Sequence, residues 1–404
     1  MQDSTIQRST GGRGSSLRRG AAAAVLVTAA LLAAACSSSD DADDASGATT
    51  TTAAESTTTA APDVDAPDEP GPFTVGRTVL ELTDGDRDRQ LVADVWYPAA
   101  ADAVGEPSIY QFLPGIEFAS KLALANVAIS TDGPFPLVVY SHGSGGLRYV
   151  ASYFTELLAS HGFVVAAVDH VGNTAVESIG GTQPPREQIA FDRVGDVEFL
   201  IDRMLDDSAA IDGPFSGTID PERIGVTGHS FGGFTALAAA GGYQNSLGTI
   251  PPDDRIDAVA AIAPATQLNS DEELEAVDVP TLLLSGTEDT TVPIDPDTLR
   301  AWDLVSGRPL WRVDLEGAGH QSFTDVCDYQ ELLPTLANVP QPLIDAVDEY
   351  ALEGCADELM PIEQAHQLSN RALVSFLLTY VAGEEGYESF LADELPGETI
   401  DVKE

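Results

Sequence analysis

The chain has 404 residues, and its composition excludes several classes of function. Aspartate and glutamate outnumber lysine and arginine by 65 to 19, which gives a formal net charge of −46 at pH 7. Nucleic acids and anionic lipid surfaces are bound through basic faces, so this excess of acidic residues argues against both as partners. The length suits two domains, or one large α/β domain with insertions.

Residues 1–35 have the composition of an export signal. Four arginines and one aspartate precede an apolar run of fifteen residues, 21–35. At about 1.5 Å per residue this run is too short to cross a hydrocarbon core of about 30 Å. A basic stretch followed by a short apolar stretch is typical of a secretory signal peptide.

The apolar run leads directly into Cys36. The sequence Leu-Ala-Ala-Ala-Cys at 32–36 resembles a bacterial lipobox, in which the cysteine is lipidated and becomes the first residue. We therefore expect Cys36 to anchor the protein by lipid to the outer face of the cell membrane, with plain secretion as the alternative. Residues 36–72 are rich in Ser, Thr, Ala and Asp and cannot bury enough apolar surface to fold, so they are predicted to form a disordered tether.

From residue 73 to the end, strand and helix patterns alternate. Several strand candidates are continuous apolar runs, which are typical of strands buried on both faces of a parallel sheet. Strands are predicted at 78–82, 91–96, 136–140, 163–168, 223–227, 258–263, 281–284 and 310–314, and helices at 149–160, 187–206, 232–241, 296–306 and 361–382. This order predicts one α/β domain, 73–404, with a doubly wound, mostly parallel sheet and helices on both faces.

Two segments lie outside this alternation and are interpreted as insertions. The first, about 100–135, contains an apolar, helix-like run that extends to Ile129. The second, about 326–360, contains Cys327 and Cys355. Both are expected to flank the mouth of a site at the carboxyl ends of the strands and to shape its pocket, although their aromatic side chains can equally serve as packing.

A short motif after the strand 223–227 predicts a nucleophile. Gly228-His229-Ser230-Phe231-Gly232 has the form G-x-S-x-G, stands between a buried strand and a helix, and is followed by Gly233. The sharp strand-to-helix turn lifts the serine hydroxyl clear of the sheet, and residues two positions away must lack bulk. We predict Ser230 as the nucleophile rather than part of a structural glycine turn, and we expect His229 to pack beside the sheet.

A serine hydroxyl needs a base, and two histidines follow Ser230 along the chain. His366 lies in a helical pattern and is interpreted as a surface or packing residue, whereas His320 lies in a loop of small residues after the last strand. We predict His320 as the base. Asp289 directly follows the buried strand 281–284 and is predicted to orient it, with the neighbouring Glu288 as the alternative.

Acyl transfer also needs hydrogen-bond donors for an oxyanion. One is expected to be the backbone N–H of Phe231, the residue after the nucleophile. The other is expected in the glycine-rich loop 141–146, which follows the strand 136–140. Ser144 is the first choice for this second donor and Gly143 the alternative.

The remaining cysteines agree with export. Because an exported chain folds in an oxidising compartment, Cys327 and Cys355, 28 residues apart, are predicted to form a disulfide. Two buried free thiols are the alternative.

Taken together, these stretches resemble the α/β-hydrolase superfamily, and within it the platelet-activating-factor acetylhydrolase and predicted dienelactone-hydrolase-like group. The resemblance covers about residues 73–325. It rests on DVWYP at 94–98, FPLVVYSHG at 135–143, ASHGFVVAAV at 159–168 and IGVTGHSFGG at 224–233. It implies an α/β-hydrolase sheet, a triad in the chain order Ser, Asp, His, and a serine hydrolase of carboxylic esters that uses no metal and no cofactor.

One feature departs from the animal acetylhydrolases of this group, which have the triad acid at the end of the strand after the nucleophile. Here that strand ends in Ala261-Ile262-Ala263-Pro264, without an acid. Asp289 stands at the later position found in dienelactone hydrolases and cutinase-like enzymes. The phospholipid specificity of the animal enzymes is therefore not expected to carry over.

The expected function is an exported, monomeric serine hydrolase that cleaves carboxylic esters through an acyl-enzyme on Ser230. Small-molecule, lipid and polyester esters all remain candidate substrates. A membrane contact is expected only through the lipid anchor at Cys36. A peptidase or acyltransferase with the same triad is the alternative, and a non-catalytic surface binding protein is a more remote one.

Overall fold

The computed structural model describes residues 64–404. The predicted signal peptide, Cys36 and most of the predicted tether therefore lie outside the described residues. Within this part, the chain forms a sheet of eleven strands and a separate two-stranded hairpin. The strands are β1 (Val75–Asp84), β2 (Arg89–Pro98), β3 (Pro107–Leu113), β4 (Ile116–Ala125), β5 (Phe135–Ser141), β6 (Val164–Val168), β7 (Ile219–His229), β8 (Tyr243–Asn245), β9 (Gly248–Ile250), β10 (Ala258–Ile262), β11 (Thr281–Gly286), β12 (Leu310–Leu315) and β13 (Glu398–Lys403).

The helices of the described residues connect these strands. They are α1 (Ser152–Ser160), α2 (Ala175–Gly180), α3 (Arg186–Ala209), α4 (Phe231–Gly241), α5 (Asp271–Glu275), α6 (Leu299–Leu304), α7 (Val326–Leu332), α8 (Gln341–Ala351), α9 (Ile362–Leu377) and α10 (Glu388–Ala392). None of the helices within 64–404 is both long enough and apolar enough to span a bilayer.

The core of the sheet is parallel, as predicted. Strands β6, β5, β7, β10, β11 and β12 lie side by side in that order, and each pair is parallel. At one edge β13 pairs antiparallel with β12; beyond β6, the other side continues through β2, β1, β4 and β3. The predicted class, a mostly parallel doubly wound α/β sheet, is confirmed.

Alternating side chains of the central strands cover both faces of the sheet. In β5, Val138 and Tyr140 pack in a cluster with residues of α1 and α9, whereas Leu137 and Val139 pack in a second cluster with residues of α3 and α4. All four side chains are fully buried. Burial of an aliphatic side chain such as Leu137, Val138 or Val139 contributes about 1.5–3 kcal/mol. The helices thus cover both faces, and the carboxyl ends of the parallel strands remain as the place for a site.

The helix-like interpretation of the run that ends near Ile129 is wrong. Ile116–Ala125 forms β4, which pairs antiparallel with β3 and parallel with the start of β1. Leu, Ala and Lys favour helices in isolation, but pairing with β1 and β3 satisfies the backbone, and tertiary pairing outweighs local propensity. The polar strand β13 was not predicted either, because an edge strand has no continuous apolar run.

A disulfide joins the two ends of the second insertion. Cys327, on α7, is bonded to Cys355, which follows α8. Around it Leu333, Leu343 and Val347 form a small apolar cluster of their own. The predicted pairing is therefore present. In the chain-entropy model, closing a loop of 28 residues contributes about 3–4 kcal/mol.

Replacing both cysteines tests this contribution. We expect the Cys327→Ala/Cys355→Ala variant to lose about 3–4 kcal/mol in its free energy of unfolding, because the unfolded chain regains the freedom of the open loop. Urea unfolding followed by circular dichroism measures this loss. Reduced wild-type protein should match the double variant. A loss below about 1 kcal/mol would show that the loop entropy is not the source of stability.

Candidate active site

The predicted nucleophile stands on a strained turn between β7 and α4. Ser230 has φ 61° and ψ −116°, a conformation that a non-glycine residue adopts only when its surroundings impose it. Two backbone hydrogen bonds supply that restraint. The Ser230 N–H donates to the Ile262 carbonyl oxygen at 2.8 Å, and the Ser230 carbonyl oxygen accepts from the Ala265 N–H at 3.2 Å.

Two glycines of the motif are required by the close approach of β5 to this turn. A Cβ atom on Gly228 or on Gly232 would collide with the Ser141 carbonyl oxygen at the end of β5. Any side chain there would push the two segments apart. The motif therefore permits the close approach of the predicted nucleophile, Ser230, to the loop that follows β5.

The structure brings Ser230, His320 and Asp289 together in a hydrogen-bonded chain. His320 Nε2 lies 2.8 Å from Ser230 Oγ, and His320 Nδ1 lies 2.7 Å from Asp289 Oδ2. The three side chains are between 3 and 8% exposed, so their hydrogen bonds are shielded from solvent, while Ser230 remains accessible at the surface. In the neutral imidazole this geometry puts the proton on Nδ1, where it faces the carboxylate, and leaves Nε2 to accept the serine proton.

The acid loop after β11 holds the Asp289 carboxylate in place. Its second oxygen, Oδ1, accepts hydrogen bonds from the N–H groups of Thr291 at 3.0 Å and Val292 at 2.7 Å. Both carboxylate oxygens are thus committed. Glu288, the alternative acid, is exposed, whereas the partner of His320 Nδ1 is Asp289.

The other two histidines considered above have different contacts. His229 is buried, and its Nε2 lies 2.8 Å from the His320 carbonyl oxygen. Burial, reinforced by the His320 ring, lowers the pKa of His229 well below its usual value, so the neutral ring donates that hydrogen bond. His229 therefore does more than pack beside the sheet, since it holds the backbone of the predicted base. His366 stacks on Tyr153 with ring centroids 3.7 Å apart and is a packing residue.

The predicted oxyanion loop lies against the nucleophile. A Cβ atom on Gly143 would be 3.4 Å from Ser230 Cβ. Among the described residues, the N–H groups of Ser144, of its alternative Gly143 and of Phe231 have no acceptor in the chain, whereas Gly145 N–H donates to the Asn173 carbonyl oxygen at 3.1 Å. Both predicted donors are therefore available to a substrate oxygen.

Beneath this loop lies a buried polar network that the sequence did not reveal. Ser141 Oγ is 2.9 Å from His170 Nε2, and His170 Nδ1 is 3.0 Å from Asp196 Oδ2. This is a second Ser–His–Asp arrangement, but its members are at most 1% exposed and no substrate can reach them. Burial and the nearby Arg193 cation lower the pKa of His170 well below its usual value. Residues so far apart in sequence gave no local motif to recognise.

The second insertion contacts the loops that carry Asp289 and His320 through Glu353. Its carboxylate accepts hydrogen bonds from Thr290 Oγ1 and, at 2.6 Å, from Thr291 Oγ1, both beside Asp289. Its carbonyl oxygen accepts from the N–H of Gln321 at 2.8 Å, beside His320. One residue of the insertion thus links the acid loop to the base loop.

The first insertion serves mainly as packing. Phe112 and Phe118 of the β3–β4 hairpin contact Tyr329, with ring centroids 4.8 and 5.4 Å apart, and Tyr149. Within 64–404, the rings of Phe112 and Phe118 contact each other, Tyr149 and Tyr329 and make no ring contact with His320. Across 64–404 there is also no cluster of three His, Cys, Asp or Glu side chains placed to hold a metal ion.

Comparisons with known proteins agree with this geometry. Residues 118–194 match the family model of platelet-activating factor acetylhydrolase, isoform II. The platelet-activating factor acetylhydrolase of Cavia porcellus is 26% identical over 220 residues, which are 41% of this chain and 50% of that protein. Cutinase 2 of Thermobifida cellulosilytica is 28% identical over 199 residues, which are 47% of this chain and 62% of that protein.

A solved structure shares the fold. A ferulic acid esterase from Streptomyces cinnamoneus superposes with a TM-score of 0.60 over 81% of this chain and 96% of that one, at 24% sequence identity. The chain spans about half the length of the acetylhydrolase relatives that it matches. The sheet topology and the Ser230 turn give the chain an α/β-hydrolase fold, which it shares with this esterase, and its sequence is similar to platelet-activating factor acetylhydrolases and cutinases.

Proposed function

We propose that the protein is a serine hydrolase that cleaves carboxylic esters through an acyl-enzyme on Ser230. The observation that carries this proposal is the unbroken chain from Ser230 Oγ through His320 to Asp289, at 2.8 and 2.7 Å. It stands at the carboxyl ends of β7, β11 and β12, beside the N–H groups of Ser144 and Phe231, which have no acceptors in the described chain. Nucleophile, base, orienting acid and oxyanion donors are the parts that acyl transfer needs.

The geometry supports a two-step reaction. In the first step Ser230 Oγ attacks the ester carbonyl carbon while His320 Nε2 takes its proton. The developing oxyanion is stabilised by the N–H groups of Ser144 and Phe231 and by the amino-terminal end of α4. His320 then gives the proton to the departing alcohol, which leaves the acyl group on Ser230. Asp289 holds the ring orientation and stabilises the imidazolium that forms in between.

The second step regenerates the enzyme. A water molecule gives a proton to His320 Nε2 and attacks the acyl carbon, and the proton returns to Ser230 Oγ as the acid leaves. The committed hydrogen bonds at Asp289 Oδ1 keep the acid loop fixed through both steps. The oxyanion donors, the N–H groups of Ser144 and Phe231, are likewise in place before the reaction. Donors that need no reorganisation stabilise the transition state most effectively.

The compared proteins support an ester as the substrate class. Their names specify an acetylhydrolase, a cutinase and a ferulic acid esterase, and what these share is a carboxylic ester bond. The second insertion lies where it can shape the pocket, because the Tyr350 hydroxyl lies next to Gly145 of the oxyanion loop. A series of p-nitrophenyl esters with increasing acyl length measures how much room this pocket leaves.

Removing the nucleophile or the base tests the proposed reaction. We expect Ser230→Ala and His320→Ala each to lower kcat on p-nitrophenyl esters by on the order of 10⁶-fold, because either change removes acyl-enzyme formation. A fluorophosphonate probe should label the wild-type protein at Ser230 and leave Ser230→Ala unlabelled. Wild-type protein that neither turns over esters nor takes up the probe would refute the proposal.

A matched pair of variants tests the identity of the acid. We expect Asp289→Asn to lower kcat by about 10⁴-fold, because an amide no longer holds the required imidazole tautomer. The neighbouring Glu288→Gln makes the same chemical change on an exposed side chain, and its kcat should stay within about twofold of wild type. If the two variants exchange these outcomes, Glu288 is the acid and the assignment is wrong by one residue.

We further propose that the protein is exported and anchored through lipid on Cys36, which the N-terminal sequence alone supports. In a bacterial host, the full chain should incorporate a labelled fatty acid and partition into the detergent phase of Triton X-114. Cys36→Ala should remain unlabelled and partition into the aqueous phase, because it lacks the thiol that carries the lipid. Equal labelling of both proteins would refute the anchor.

A further inference from the structure

A buried arginine lies between the two segments that carry the proposed oxyanion donors. Arg193, on α3, is 1% exposed. Its four hydrogen bonds all go to neutral oxygen atoms, which are the His142 carbonyl oxygen, Ser141 Oγ, Asn173 Oδ1 and Thr235 Oγ1. Burying a cation is costly unless such bonds offset the loss of water.

On one side the guanidinium holds the loop after β5. Nη2 donates to the His142 carbonyl oxygen and, at 3.0 Å, to Ser141 Oγ. Nη1 donates to Asn173 Oδ1 at 2.7 Å, and Asn173 Nδ2 in turn donates to Ser144 Oγ at 3.0 Å. The residue whose N–H is the proposed second donor is therefore tied to Arg193 through one side chain.

On the other side the same group holds the start of α4. Nε donates to Thr235 Oγ1 at 3.2 Å, and that hydroxyl donates to the Phe231 carbonyl oxygen at 2.8 Å. The guanidinium carbon also lies 4.9 Å from the centroid of the Phe231 ring. Phe231 carries the proposed first donor, so one planar group contacts both walls of the oxyanion hole.

We propose that Arg193 is a positioning residue that sets the spacing between the N–H groups of Ser144 and Phe231. This inference rests on the proposed ester hydrolysis at Ser230 and adds a residue to it that does not touch the substrate. A guanidinium suits the task because its donors lie in a rigid plane, so its bonds fix the two segments relative to each other. A displacement of about 1 Å at such a site can cost about 10²-fold in rate.

The network around Arg193 is consistent with a rigid support. Burial, and next the charge of Arg193, lower the pKa of His142 well below its usual value, so its ring stays neutral. His142 Nδ1 can then donate to the Gly143 carbonyl oxygen at 2.7 Å while Nε2 accepts from the His170 N–H at 3.1 Å. Burial lowers the pKa of Arg193 to about 9, which leaves the guanidinium charged at neutral pH.

Kinetics of full-length Arg193→Gln and Arg193→Lys test this role. We expect Arg193→Gln to lower kcat on p-nitrophenyl esters by about 10–100-fold with KM within about threefold, because the oxyanion donors act mainly in the transition state. Arg193→Lys keeps the charge and one contact and should recover part of the loss. The pH midpoint of kcat should not move, since the His320–Asp289 contact is untouched.

Arg77→Gln is the matched control. Arg77 is also a buried arginine, but it bonds to Asp94 and Ser108 at the β1 side of the sheet. We expect the Arg77→Gln variant to have a lower free energy of unfolding and a kcat within about twofold of wild type. If Arg77→Gln and Arg193→Gln lower kcat equally, or if Arg193→Gln keeps wild-type kcat, the positioning role is refuted.

Two further measurements test the role of Arg193 if Arg193→Gln does not fold or if the protein cleaves no ester. If Arg193→Gln does not fold, Asn173→Ala removes the side chain that joins Arg193 Nη1 to Ser144 Oγ and leaves the bonds of Arg193 to His142, Ser141 and Thr235 in place. It should lower kcat by about 10-fold at constant KM; a wild-type kcat there refutes the inference. Hydrogen exchange distinguishes a failure of the Arg193 positioning role from a failure of the proposed ester hydrolysis. The N–H groups of Gly145 and Gly146 should exchange faster in the Arg193 variants than in wild type or Arg77→Gln, even if no ester is cleaved, and unchanged exchange refutes the inference.

Discussion

The site depends on the close backbone contact between the end of β5 and the turn around Ser230. Only glycine fits at positions 228 and 232, because a Cβ atom at either would occupy the space of the Ser141 carbonyl oxygen. This contact brings the loop after β5 against Ser230, whose strained conformation is held by its backbone hydrogen bonds to Ile262 and Ala265. The proposed nucleophile and the segments that carry both proposed oxyanion donors are therefore brought together by one contact between two stretches of main chain.

Residues 64–404 contain two Ser–His–Asp arrangements with similar hydrogen-bond distances, and they differ in burial. Ser230, His320 and Asp289 lie at the carboxyl ends of strands, where Ser230 retains 8% exposure. Ser141, His170 and Asp196 are sealed beneath the oxyanion loop, where Asp196 is also paired with Arg89 at 2.8 Å. Hydrogen bonding alone does not identify an active site, since a nucleophile must also be reachable.

The second insertion supports the site from outside the common core. The disulfide fixes the ends of a segment whose own apolar cluster is small, and Glu353 lies two residues before Cys355. Through Glu353 that segment contacts both the acid loop and the base loop. The disulfide therefore helps to hold His320 and Asp289 in place relative to each other, although these residues lie in loops that follow different strands.

Much of the fold and of the triad was determined by local sequence. Continuous apolar runs identified the parallel strands because a strand buried on both faces has no polar position, and the glycine motif identified Ser230 because only glycine permits its turn. His320 and Asp289 were predicted from their positions after strands, and they lie in hydrogen-bond contact with each other. The β3–β4 hairpin and β13 were decided by tertiary pairing, which outweighed the helix propensity of 116–125 and gave the polar strand a partner. Likewise, distant segments must meet before Arg193, His170 and Glu353 make their contacts. A single polar residue in the sequence does not indicate which groups will surround it in the folded protein.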